Sequence, residues 1–242
     1  MYSSLIARSR KADCECTGAK PKPRSTDGSL RAEVDEAISA GTPLYSTWIR
    51  NCDAAHEPSV ANPISPGDVA AAHYRALSWL GRVASQLPAP DDATVEGTPT
   101  PIKHAAKRWF NLETPRADPT TREHWLHIAE ALARMKSRAP RTTYVCRDFS
   151  SAARAPRGIA LRLDRAWFRR VMTSVDQRAA LLVHEWGHMW GGPHITPFFE
   201  SYCDGARFWK LGPERRVRLP DAYMGFVTQV VTGRTTPGSH LC

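Results

Sequence analysis

Apolar residues recur along most of this chain with the period of a helix. Val69, Ala72, Ala76, Leu80, Val83 and Leu87 fall on one stripe, and Ser65-Pro66-x-Asp68 opens it with a proline in the first turn. Ile102, Ala105, Ala106, Trp109 and Phe110 follow at i, i+3, i+4, i+7 and i+8, an amphipathic helix. Asp118-Pro119 begins a third, with Trp125, Ile128, Ala129, Leu132 and Met135 on its apolar side and His124 and His127 beside it in structural positions. After Pro140 the period shortens. Residues 142–146 are β-branched and aromatic, and Ile159, Leu161 and Leu163 alternate with other residues, which predicts two neighbouring strands. A third strand is expected near 166–171. The helical period then returns in Ala179, Ala180, Leu181, Leu182 and Val183. Ser174 and Gln177 form a capping-box pattern ahead of them, and Gly191-Gly192-Pro193 stops the helix. Further helices are expected over 197–211 and 221–231.

These elements predict an α+β fold, mainly helical, with a small sheet beside the helix that begins at Ser174. The first 60 residues read differently. Lys20-Pro21-Lys22-Pro23-Arg24-Ser25 is linker-like, a short helix is expected over 30–39, and 44–49 is either a strand or a docked extension. Residues 1–60 are therefore expected to form a basic, partly disordered arm, and 61–242 the folded domain.

Composition narrows the class without deciding the function. With 242 residues, 42% hydrophobic and 24% charged, the chain is an ordinary globular one. No apolar run approaches the length of a membrane span, and the N-terminus lacks the apolar core of an ordinary secretory signal. Retention in the cell, a specialised export route and prior processing all remain open. The net charge of +9 comes mostly from arginine. The cations are scattered, with clusters at 20–24, 165–170 and Arg215-Arg216-x-Arg218, and no nucleic-acid motif accompanies them, so no specific nucleic-acid partner is expected. The six cysteines, at 14, 16, 52, 146, 203 and 242, fit no evident disulfide framework. Cys146 and Cys203 flank the most informative region, where a bridge or two buried thiols are both open readings.

That region contains His184-Glu185-x-x-His188. On a helix, four residues turn about 400° and climb about 6 Å, so the two imidazoles stand one above the other and can grip one ion. Glu185 lies about 100° round from His184, at the rim of that face, placed to act on water without becoming a ligand. A buried helix carrying these polar groups requires something to offset their desolvation, and a zinc ion does so.

A catalytic zinc takes three protein ligands and keeps one open position. Three groups after His188 are candidates: His194, Glu200 and Asp204. His194 completes His-Glu-x-x-His-x-x-Gly-x-x-His, which resembles the metzincin signature, with Gly191 turning the chain back toward the metal. Glu200, followed one helical turn later by Asp204, resembles the gluzincin arrangement, in which the Glu binds zinc and the Asp orients a ligand imidazole.

The layout from about residue 65 to 231 is similar to the deuterolysin and peptidyl-Lys metalloendopeptidase family, the aspzincins. The matching features are Arg108-Trp109-Phe110, Tyr144-x-Cys146, Gly158-Ile159-x-Leu161, the metal helix, an acidic residue close to Tyr202, and Pro220-Asp221-Ala222-Tyr223-x-x-Phe226. That family takes its third ligand and an oxyanion-steadying tyrosine from Gly-Thr-x-Asp-x-x-Tyr. Here Thr196 is followed by Glu200-Ser201-Tyr202, with Glu for Asp and a tyrosine two residues on instead of three. Met224 stands where the Lys-selective members carry an acid, so Lys specificity is not implied.

The expectation is a zincin-like metallopeptidase. His184, His188 and Glu200 hold Zn2+, with His194 as the alternative third ligand. Glu185 is the general base, Tyr202 or alternatively Tyr223 the oxyanion donor, and Asp204 or Asp221 orients an imidazole from behind. A protein or peptide substrate would lie extended along the sheet edge. An amidase acting on a cell-wall or other non-protein amide, and a non-catalytic module with a structural zinc, are the rival readings.

Overall fold

The computed structural model describes residues 48–52, 64–87, 98–112, 119–147, 153–154, 160–164, 173–192 and 207–234. Strand β1 (Ile49–Arg50) is followed by three helices, α1 (Pro66–Ala84), α2 (Thr100–Phe110) and α3 (Pro119–Arg138). A 3-10 turn leads into β2 (Tyr144–Arg147), then β3 (Ala153–Arg154) and β4 (Leu161–Asp164). Helix α4 (Val175–Trp190), a 3-10 turn at Phe208–Lys210, the short α5 (Pro213–Arg216) and α6 (Pro220–Thr232) complete the described chain. The fold is α+β, mostly helical, with a small sheet.

The helices start and stop where local chemistry dictates. Ser65 caps α1 by accepting from the Asp68 amide while the Asp68 carboxylate accepts from the Ser65 amide, and Ser174 and Gln177 repeat the arrangement at α4. The two capped ends are tied together. Arg178 on α4 reaches Asp68 at 2.9 Å, and Arg75 on α1 reaches Asp176 at 3.5 Å. Asn111 ends α2 and Gly233 ends α6, both in left-handed backbone.

Helix α4 packs against α1 on one side and α6 on another, while α2 covers α6. Gly225 permits the last contact. A Cβ there would lie 2.3 Å from the Trp109 ring, which is fully buried and whose indole N–H donates to Gln229 at 2.8 Å. No described helix is long and apolar enough to cross a membrane.

The sheet order is β1-β2-β4-β3. The first three strands are parallel, and β3 pairs antiparallel with β4 at one edge, beside α4. Tyr144, Cys146, Leu161 and Leu163 point into the core, as strand alternation requires.

Two expectations are corrected at β1. The boundary at residue 60 cuts into the folded body, because Ile49–Arg50 pairs with Tyr144–Val145, and Trp48, Ile49 and Cys52 are buried in the same core as the helices. Cys146, considered above as a partner for Cys203, is bonded to Cys52. The third strand expected at 166–171 lies outside the described residues; the edge strand observed is β3. Of the helix expected over 197–211, the described part is the 3-10 turn at Phe208–Lys210.

The Cys52–Cys146 crosslink spans 94 residues, which in the chain-entropy account contributes about 4 to 5 kcal/mol of stability. Reduction, or Cys52→Ser, is expected to lower the urea midpoint by a corresponding amount and to expose Trp48, read as a red shift in fluorescence. A midpoint insensitive to reductant would remove the crosslink from the account of stability.

Candidate metal centre

The face of α4 turned away from its fully buried Ala179 and Leu182 carries the two histidines. Four residues of helix bring their rings together at 4.9 Å between centroids and 75° between planes. The Nε2 atoms face each other at 3.2 Å. A tetrahedral ion with ligands at 2.0–2.1 Å holds two nitrogens about 3.3–3.4 Å apart. The separation of the pair is close to that value.

The far side of the His184 ring is also occupied. Asp221, in the first turn of α6, places Oδ1 2.5 Å from Nδ1 of His184. With a proton on Nδ1 donated to that carboxylate, the lone pair of His184 is left on Nε2, directed at His188. Asp221 is itself buried, so its charge is little screened from the ring. Burial first, and the charge of His184 second, lower the pKa of His188 to about 4, against an opposing effect of Asp221. Near neutral pH His188 is thus an uncharged imidazole, the form that can donate to a metal.

The approach of α6 to α4 has a local cause. Pro220 lies against Gly187, which sits between the two histidines, and a Cβ on Gly187 would come within 3.1 Å of Pro220 Cβ. A side chain at that position would push away the turn that carries Asp221. Glu185, next to His184, is 5% exposed, within the helix packing and not on its outer surface.

Tyr223 does not fit its expected alternative role. It is buried, and its hydroxyl donates to the Val217 carbonyl at 2.8 Å. Burial, and after it the Glu130 carboxylate, raise its pKa well above the ordinary phenol value. It supports the turn before α6 and is not available to an oxyanion. Met224 lies inside α6, not in a tight turn. Gly191, expected to turn the chain, keeps right-handed helical backbone and donates to Gly187, and the positive φ falls at Gly192. Glu200, Tyr202, Asp204 and His194 lie outside the described residues. Among those described, no third His, Cys, Asp or Glu joins His184 and His188 in a metal-binding group. His124 is buried in α3, and His127 pairs with Glu123 at 3.8 Å.

Beneath α4 lies a buried polar cluster that patterning gives little reason to single out. His73 of α1 shares a 2.9 Å hydrogen bond with the Tyr144 hydroxyl of β2, and its ring meets Trp186 of α4 edge-on at 5.4 Å and Trp48 at 4.8 Å. Its one sequence signal is a polar residue beside an apolar stripe. The cluster joins α1, β2, α4 and the residue before β1.

No protein-family profile matches the chain, and no curated protein is significantly similar to it.

Burial holds the His73 pKa at about 3. In the folded chain it stays neutral, whereas the unfolded chain takes up a proton below about 6.5. Stability is therefore indifferent to this group above pH 6.5 and falls as the pH drops from there toward 3, by up to about 1.4 kcal/mol per pH unit. Denaturation of metal-free protein at a series of pH values should show this loss, and His73→Gln should reduce it, leaving the share of His188, whose pKa burial also lowers. Equal slopes for the two proteins would exclude His73 as its source.

Proposed function

We propose that this chain is a zinc-dependent endopeptidase. The observation that carries the reading is the facing pair of Nε2 atoms at 3.2 Å, with a buried carboxylate on the opposite nitrogen of one ring. A hydrogen-bonded pair of surface histidines would not call for a buried acid behind it. An imidazole that must present one lone pair in a fixed direction does.

When bound, a zinc ion lowers the pKa of water toward neutrality and polarises a carbonyl. The chain supplies the rest. His184 and His188 hold the ion, with Glu200 as the third ligand and His194 as its alternative. Asp221 fixes the tautomer of His184 and partly offsets the charge brought into the site, and Asp204 is a second residue proposed to orient a ligand ring. Glu185 takes a proton from the attacking water and delivers it to the leaving amine. Tyr202 donates to the oxyanion of the tetrahedral intermediate. The edge strand β3 lies beside α4, where an extended peptide adding to the sheet would pass the histidines with its amides in register.

Glu185→Gln is expected to keep zinc at the parental stoichiometry while losing more than about 100-fold in the rate of cleavage of an unstructured protein substrate. Parental activity in that variant would remove Glu185 from the mechanism. Zinc retained with no cleavage of proteins by the parent, but hydrolysis of a cell-wall amide, would move the substrate class to that of an amidase.

Asp221→Asn removes the charge and weakens the acceptor behind His184. It is expected to weaken zinc binding by about 10- to 100-fold, measured by competition with a chromogenic chelator. An unchanged affinity would mean that the carboxylate serves packing alone.

A further inference from the structure

Trp209 is the one large hydrophobic side chain that is exposed among the described residues, at 40%. It is held in that position by a buried cation. Arg216, 4% exposed, donates from its guanidinium to three backbone carbonyls, those of Leu211 at 2.9 Å, Arg108 at 2.9 Å and Trp209 at 2.7 Å. One arginine thus closes the loop that carries Trp209 and fastens it to the last turn of α2, where a positive charge also suits the helix end. The Trp209 ring is flanked by the guanidinium carbons of Arg108 at 5.1 Å and Arg216 at 5.6 Å from its centroid, with the Trp109 ring at 5.5 Å. With guanidinium groups on the ring, stacking on a base or sugar is disfavoured, while part of the indole remains open to solvent.

The surroundings share one sign of charge. Between Arg207 and Arg218 there are five cationic side chains and one carboxylate, Glu214. Arg207, Lys210, Arg215 and Arg218 are exposed, as is Arg108 on the neighbouring helix end. The charge of Arg216 is partnered by carbonyl oxygens and not by an acid, so it adds to the positive potential of the patch.

We infer that this patch binds an anionic lipid surface, with the exposed part of Trp209 entering the headgroup region and the surrounding cations resting on the phosphates. An indole is an amphipathic group that favours such an interface. Each basic side chain near an anionic bilayer adds attraction of its own, without needing a specific partner. Exposed cations in the segment that carries a single partly exposed aromatic suit a broad anionic plane better than an acidic peptide, which requires paired positions along a groove. The inference is independent of the metal centre, since binding to lipid is read without any activity.

The test is co-flotation of the full chain with vesicles of phosphatidylglycerol and phosphatidylcholine, against phosphatidylcholine alone. Binding is expected to the mixed vesicles only, and to be lost at molar salt. Trp209→Ala and the double variant Arg215→Glu, Arg218→Glu are each expected to weaken it by about tenfold or more. A control, Arg82→Glu with Lys136→Glu, makes the same change in net charge at exposed positions on α1 and α3 and should bind nearly as the parent does. Far-ultraviolet dichroism and melting establish that each variant is folded. Equal weakening by the control would show that net charge alone drives binding, and overturn the inference. So would undiminished binding of Trp209→Ala, or binding to polyglutamate or RNA with none to vesicles.

Discussion

Pro220 touches the backbone of α4 at Gly187, and this close approach places the carboxylate of the candidate metal centre. It seats the first turn of α6 on the histidine face of α4, so the next residue, Asp221, reaches Nδ1 of His184. Two forces meet there. Packing of apolar residues on α4 and α6 brings the helices together, and that same packing strips water from a carboxylate and an imidazole. Each polar group alone would make the packing costly; hydrogen-bonded to each other they are tolerated. Tyr223, two residues on, anchors the opposite side of the turn through the Val217 carbonyl. The carboxylate behind His184 thus depends on a helix contact that forms no part of the four-residue spacing of the histidines.

What was legible in the sequence was what local chemistry determines. The capping boxes at Ser65 and Ser174 are satisfied by neighbours three residues away, and both helices begin there. The stripes on α1, α2 and α3 are buried because each helix has an apolar side, except at Leu87 and Ala129, which are only partly buried. The last helix runs from Pro220 to Thr232 against an expected 221–231. The histidine pair follows from the pitch of a helix alone.

Contacts between distant segments were harder to read. Strand β1 has two residues, too few to show alternation, and its place is set by a parallel partner and a disulfide 94 residues away. Without that pairing the segment reads as part of a basic arm. Tyr223 illustrates a related error. It was the alternative oxyanion donor, but a place in the sequence does not say which way a side chain points, and this one turns inward to a backbone carbonyl. His73 was not singled out for the same reason, since its partners Tyr144 and Trp186 come from other elements.

The bond between Cys52 and Cys146 closes a covalent ring that contains α1, α2 and α3, while α4 and α6 lie on the open chain beyond it. A single cut in the backbone anywhere inside this ring, such as in the stretches joining the three helices, leaves two pieces that cannot diffuse apart. Such a nicked molecule would migrate as one species until reduced, and it would keep its first helix attached to the part of the chain that carries the histidine pair. For a protein whose surroundings contain peptidases, this part of the scaffold can be damaged without being shed.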